Sequence, residues 1–359
     1  MHIPDGYLSP QTCAAAYVLA VPTLAIASRR VSRGVTTRQV PLLAMFAAVS
    51  FLVMMFNIPI PDGTTAHAVG AVMIAIALGP WAAVIAVSVA LLFQALLFGD
   101  GGVLAYGANV LNMAIVMPFV GIAAYRVLAG RSALRSTRRV VAAGVAGFLG
   151  INAAALAAAV EFGIQPALFH TADGMPLYAP YSFAQTIPAM ALAHLVVAGP
   201  VEGILTGAVF AYLAKANPEA LRGTHGDLVT SPDAGASRPA RVGWSTPAKV
   251  AVGFVAALVV LSPLGLLAPG GAFGEDAPAD LDLGALGLQA IPAGMARYTG
   301  FWRHTVLADY GAGGAHATLG YWLSALVGIA VIGAAVYAMG RLVGVFRGRR
   351  ATPASAVQD

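Results

Sequence analysis

Apolar residues along this chain come in runs too long for the helices of a soluble domain, with short polar breaks between them. A bilayer span needs roughly 20 predominantly apolar residues. Segments of that character lie near 12–28, 39–57, 65–79, 81–98, 107–125, 140–160, 186–214, 249–268 and 318–340. The third is short, and only Gly79-Pro80 separates it from the fourth. Pro80 has no N–H and clashes with the preceding turn, so the pair predicts a tight hairpin rather than one long helix. The pattern therefore predicts an all-α polytopic membrane protein of about nine transmembrane helices.

Charge distribution orients those helices. All the Lys and Arg residues except Arg297 and Arg303 fall in alternate connections: 29–38, 126–139, 215–249 and 341–350. The positive-inside rule then puts the N-terminus outside and the C-terminus inside. Merging the third and fourth segments would scramble this alternation, so the bias supports the hairpin. The basic residues form no single patch, which excludes nucleic acid as a partner. Composition agrees: the chain is 59% hydrophobic and 10% charged, whereas soluble domains carry about 25% charged residues. The expected setting is the cell (inner) membrane, crossed many times, with the lipid bilayer as solvent. Cys13, alone of its kind, excludes internal disulfides and a cysteine zinc site.

Organisation follows from composition. Residues 1–215 hold seven spans. Residues 216–246, with the stretch TSPDAGASRPA, are a Pro-, Gly- and Ser-rich linker on the cytoplasmic side. Residues 247–350 hold two spans around an outside loop, and 351–359 form a tail. No internal repeat is visible, which argues against inverted-repeat carriers.

With this topology the informative polar groups collect on the outer side. The opening MHIPDGYLSP precedes the first basic residue, Arg29, so it lacks the charged start of a signal peptide. The stretch IPIPDGTTAHAVG brings His67 to the outer boundary, and GDGGVLAYGANVLNMA brings Asn109 and Asn112, three apart on one helix face. Glu161, His170 and Asp173 are expected in the next outside loop. A free Met1 amine, the His2 amide nitrogen and the His2 Nδ1 can chelate one metal ion in adjacent small rings. A fourth nitrogen would complete a plane, a geometry suited to Ni(II) or Cu(II). His67 is the best-placed fourth donor, although a histidine at a helix start can equally be satisfied by a backbone carbonyl. The chelate requires that Met1 be retained and its formyl group lost.

MHIPDGYLSP, PDGTTAH, GANVLNMA and HLVVAGPVEGILTGAVFAYL resemble the CbiM/NikM family, the substrate-capture subunits of energy-coupling-factor (ECF) transporters for cobalt and nickel. The resemblance covers residues 1 to about 215. It implies a seven-helix fold with an additional N-terminal helix, and a metal held by Met1, His2 and His67. Residues 247–350 resemble the NikN/PDGLE-type accessory domain, two helices around an outside loop, and such domains are thought to help load metal. Here LGLQAIPAGMARYTGFW stands where the namesake motif would be.

Mechanism follows from what the chain carries. It has no G-x-x-x-x-G-K-[ST] phosphate loop, so it does not hydrolyse ATP by that route. The resemblance implies a separate membrane coupling subunit (CbiQ/NikQ-like) and cytoplasmic ATPase subunits (CbiO/NikO-like). No cofactor is expected, and Ni(II) or Co(II) is cargo, with nickel preferred. Asp5, Asp62 and Asn109 are candidates to accept the second ring N–H of a ligating histidine. Glu202 is expected in the inner half of its span, as a polar contact between helices, and is not paired with His194. Ala44 and Ala48 offer close helix approach to a partner. Two other readings remain: a self-sufficient ion-coupled nickel or cobalt permease, and an intramembrane metalloenzyme. The first needs several ionisable groups inside spans, where only His194 and Glu202 stand; the second needs a motif such as H-E-x-x-H, which is absent.

Overall fold

A computed structural model describes residues 1–35, 39–60, 65–229, 246–267, 272–275, 277–311 and 316–350. Its helices are α1 (Pro10–Gly34), α2 (Val40–Met54), α3 (Ala71–Leu78), α4 (Pro80–Phe98), α5 (Tyr106–Ala129), α6 (Thr137–Leu168), α7 (Phe183–Ala216), α8 (Lys249–Leu267) and α9 (Ala317–Gly340). Among the described residues seven helices, all of these but α2 and α3, are long and apolar enough to cross a membrane. The protein is a multi-pass membrane protein.

The third apolar segment departs from the sequence expectation. It is helical only over Ala71–Leu78, too short to span. Gly70 has a left-handed φ of +77°, and Thr65–Ala66 pairs antiparallel with Ile58–Pro59, so the first third of the segment is extended. The break at Gly79 is as expected: its φ of +94° ends α3, Pro80 opens α4, and the two helices pack together. Short α3 is the axis of the bundle. Ala71 to Ala77 are all buried, against α4, α5, α6 and α7.

Helix α1 begins where the sequence signals it. Ser9 Oγ accepts the Thr12 N–H at 3.1 Å, and Pro10 occupies the first helical turn, where its missing N–H costs nothing. Stretches of α4, α5 and α7 (Gln94–Phe98, Val110–Val116 and His194–Ala198) are π-helical. Such wide turns re-aim side chains and are frequent at functional sites. Helix α9 lies along α2, and Ala44 and Ala48 are buried in that region, so their small size serves packing within this chain.

The connection between α8 and α9 lies over the end of the bundle that carries the N-terminus. Val306 and Leu307 donate N–H to the Leu97 carbonyl at 2.9 and 3.0 Å, Trp302 Nε1–H reaches the Leu96 carbonyl at 2.9 Å, and Met295 N–H reaches the Leu177 carbonyl at 3.0 Å. The bonds to Leu96 and Leu97 satisfy carbonyls in the last turn of α4, which would otherwise lack partners.

Candidate metal centre

The opening decapeptide is a buried strand of chain rather than a solvated tail. Met1, His2, Ile3, Tyr7, Leu8 and Ser9 are all buried. Several of its backbone groups and the Asp5 carboxylate find distant partners. Asn109 brackets Ile3, its Oδ1 accepting the Ile3 N–H at 2.8 Å and its Nδ2 donating to the Ile3 carbonyl at 3.1 Å. Gln165 Oε1 accepts the Ser9 N–H at 2.9 Å, and Ala179 N–H donates to the Tyr7 carbonyl at 2.9 Å. Asp5 collects the N–H groups of Val103, Leu104 and Ala105 at 2.8–3.1 Å, which caps the turn leading into α5. Gly102 makes this approach possible: a Cβ there would lie 2.1 Å from Asp5 Oδ1.

This fold brings His2 onto His67, with ring centroids 4.8 Å apart, and both are buried. His67 Nδ1 faces the Ala68 carbonyl at 3.0 Å. A carbonyl only accepts, so Nδ1 carries the proton and the lone pair is on Nε2. His2 Nδ1 lies 3.2 Å from Asp100 Oδ1, which by the same reasoning leaves its lone pair on Nε2. Neither Nε2 has a hydrogen-bond partner. Two buried ring nitrogens without partners, at one spot, are costly unless something occupies them.

A third group completes the cluster. Glu275, from the α8–α9 connection, is ion-paired through Oε1 to the Met1 amino terminus, and the same oxygen accepts the His2 N–H at 2.7 Å. His2, His67 and Glu275 each offer a ligand atom within 4.8 Å of the others. Glu275 is aimed by a reverse turn in which its N–H returns to the Ala272 carbonyl at 2.9 Å. Ala272 forms a parallel bridge to Thr65, two residues before His67. Phe273 packs its ring 4.7 Å from that of Tyr181, and Gly274 has φ +75° with no room for a Cβ, which would meet Phe162 at 2.7 Å. The cluster opens onto a cavity of about 380 Å³ whose acidic lining is Asp5, Asp100, Glu275 and Asp309.

Electrostatics keep the donors in useful forms. Burial lowers the His2 pKa to about 4 despite the nearby Glu275, so the ring is neutral and basic nitrogen is available at ordinary pH. Burial alone would raise the Glu275 pKa, but the positive amino terminus outweighs it and holds the carboxyl below its usual range. Burial, reinforced by the Glu275 charge, pushes Asp100 up to about 6. Tyr310, also from the α8–α9 connection, donates its hydroxyl to Asp100 Oδ2, and Gln94 Nε2 donates to the Tyr310 hydroxyl at 3.0 Å.

The residues singled out from sequence divide as follows. Met1, His2 and His67 come together. The hydrogen bonds of Asp5 and Asn109 go to backbone groups and fix the decapeptide, while Asp100 and the Ala68 carbonyl face the ring nitrogens. Asp62 lies outside the described residues. Asn112 leaves the site and donates to Glu161 Oε2 at 2.7 Å. Glu161 is not in a loop, because α6 continues past it to Leu168. His170, Asp173, His304 and His316 are exposed, and none of them lines the cavity. Glu202 is not a contact near the inner end: fully buried, it accepts the N–H groups of Val69 and Gly70 at 2.8 and 2.9 Å and so secures the segment that carries His67. Glu275, Asp100, Gln94 and Tyr310 were not found by sequence reading. The available hint was the GDGG stretch for Asp100 and an aromatic-Gly-acid turn, AFGE, for Glu275.

Residues 2–220 match the family described as the cobalt uptake substrate-specific transmembrane region. The chain belongs to this family. Over 349 residues it is 48% identical to the fused nickel transport protein NikMN of Rhodobacter capsulatus, covering 94% of this chain and 96% of that one. It is 43% identical over 337 residues to the probable fused nickel transport protein LarMN of Lactiplantibacillus plantarum, covering 92% and 95%. Among solved structures, a truncated transition metal transporter superposes with a TM-score of 0.56 at 54% identity, covering 59% of this chain and 98% of that one. Membership in this nickel and cobalt transport family marks the chain as a transport protein. The likeness to NikMN and LarMN covers 94% and 92% of this chain, so it extends past residue 220 into the α8–α9 part.

Proposed function

We propose that this chain is the substrate-specific component of an ECF-type transporter, capturing Ni(II), or Co(II), from outside for import by partner subunits. A separate coupling subunit and ATPase subunits supply the ATP-driven movement. The Met1 amine, the His2 amide nitrogen, the His2 imidazole and the His67 imidazole hold the ion, which is cargo rather than a resident cofactor. The observation that carries this reading is the meeting of His2 and His67 at one cavity, with both Nε2 atoms buried and without partners and the amino terminus joined to the cluster through Glu275. A planar set of four nitrogens favours nickel over cobalt. Binding through an amine and an amide nitrogen releases protons, so affinity rises with pH.

The test is metal analysis of purified full-length protein beside a form with one residue added before Met1. The addition moves the amine out of ring-forming position, and the metal retained through purification is lost. Undiminished metal in the extended form rejects the chelate. So does mass spectrometry that finds the mature chain trimmed or blocked ahead of His2 while transport persists.

A further inference from the structure

The amino terminus and the His2 N–H share one acceptor, Glu275 Oε1. Those two nitrogens belong to the same chelate ring in the reading above, so this oxygen stands where an ion held by them would sit. The third nitrogen of the chelate, His2 Nδ1, faces Asp100. The lone pairs that point to no partner are instead on His2 Nε2 and His67 Nε2. The donors ready for an arriving ion therefore overlap those of the final chelate only at His67: His2 offers Nε2 in place of Nδ1, and Glu275 stands in for the amine and amide nitrogens. They are two imidazoles and one carboxylate, close enough together to share an ion.

We propose that Glu275 is a metal ligand: with His2 and His67 it forms a first-contact site, delivered by the α8–α9 connection, which takes the divalent ion before the amino terminus does. The inference rests on the capture reading but adds Glu275 and His2 Nε2 to its donors. Two imidazoles and a carboxylate suit first-row divalent ions with open positions. Glu275 is partly exposed, with 17% of its side chain accessible, whereas Met1, His2 and His67 are buried. An ion arriving through the acidic cavity thus meets the carboxylate first. As the ion displaces the amino terminus and the His2 N–H from Oε1, those nitrogens come free at the spot where the ion already is. The amine and the amide each give up a proton to solvent, Asp100 takes the His2 Nδ1 proton while Nε2 is protonated in its place, and the ring turns so that Nδ1 closes the chelate. Phe273 and Gly274 fix the turn, so Glu275 retreats by rotating its own side chain rather than by undocking the loop.

Four full-length proteins decide it: the natural chain, Glu275→Gln, the chain extended by one residue before Met1, and the extended chain carrying Glu275→Gln. Ni(II) alone is the probe, with association followed by stopped flow and coordination by X-ray absorption. Glu275→Gln slows association about tenfold or more, the range in which a cleft of one charge sign accelerates capture. The extended chain keeps weak binding with mixed oxygen and nitrogen donors, and Glu275→Gln abolishes that residue of binding. Glu275→Asp, which keeps the charge on a shorter arm, gives an intermediate rate and serves if the Gln form melts lower. An association rate within twofold of the natural chain, or a faster one, overturns the proposal. So does residual binding in the extended chain that is missing or indifferent to Glu275→Gln. Full-strength binding by the extended chain rejects the chelate instead and leaves the Glu275 arms to be judged by rate.

Discussion

His67 is held from within the bundle. Its Nδ1 faces its neighbour's carbonyl, and the next two residues give their N–H groups to Glu202, a fully buried carboxylate of α7. The segment then runs straight into α3, whose first seven residues are all buried. His2 is held by connections instead. Its ring faces Asp100 in the α4–α5 turn, its N–H faces Glu275 in the α8–α9 connection, and its chain is tied down by Asn109. Both carboxylates facing His2 are partly open to solvent, at 19% and 17%. One half of the centre is scaffold, and the other half is assembled over it from pieces that water can reach. An ion that must enter and later leave needs this asymmetry. A site locked on both sides would bind without releasing, and one loose on both sides would not preorganise its donors.

The strongest blow to the fixed half is Glu202→Ala. It leaves the Val69 and Gly70 N–H groups buried without an acceptor, at roughly 1–3 kcal/mol each. Thermal unfolding in detergent should show a loss of about 3 kcal/mol or more, with retained Ni(II) falling alongside. Glu202→Gln keeps a carbonyl acceptor and recovers much of that stability. If the Ala form melts as the natural chain does, the fixed half is not fixed by Glu202 and the contrast with His2 collapses.

Asn109→Ala attacks the other half. The Ile3 carbonyl keeps the Gly102 N–H as a donor at 2.8 Å, so the buried group left alone is the Ile3 N–H, worth about 2 kcal/mol. Because that bond restrains the decapeptide and not the bundle, Ni(II) titration should register the change more than melting does. A variant that melts lower yet binds Ni(II) with unchanged affinity would show that the decapeptide finds its place without this bracket.

How far the sequence could be read follows the same division. Seven of the nine expected spans were legible because a bilayer demands long apolar runs, and the start of α1 because Ser9-Pro10 is a cap signal in itself. His2 and His67 were legible because a histidine next to a chain end, and another at a helix start, are unusual places for costly polar groups. The broken third segment was not: Thr65, Ala66 and His67 read as helix by hydropathy, and only pairing with Ile58–Pro59 and capture by Glu202 make them extended. Glu275 was hidden for a related reason. It lies 273 residues from His2 in sequence, within a stretch that also carries Asp276, Asp280 and Asp282, and only the short AFGE pattern sets it apart from them. Long-range pairing is what residue types and spacing leave unsaid.

The smallest effect, and the sharpest on the assembled half, comes from Tyr310→Phe. Tyr310 is the second reach of the α8–α9 connection toward His2, through Asp100. Its ring stacks on Phe98 at 5.1 Å and would stay there, so the change removes one hydroxyl and little packing. Gln94 Nε2 still has Asp100 Oδ2 at 3.1 Å, so no donor is stranded, and the stability cost should be about 1 kcal/mol. Ni(II) bound at saturation should not change, and association should slow by less than about threefold, because the hydroxyl positions Asp100 but carries no charge to attract the ion. A slowing as large as that of Glu275→Gln would mean that Asp100, oriented by Tyr310, meets the ion as early as Glu275 does. The connection would then work with two arms rather than one, and His2 would be released by both carboxylates together.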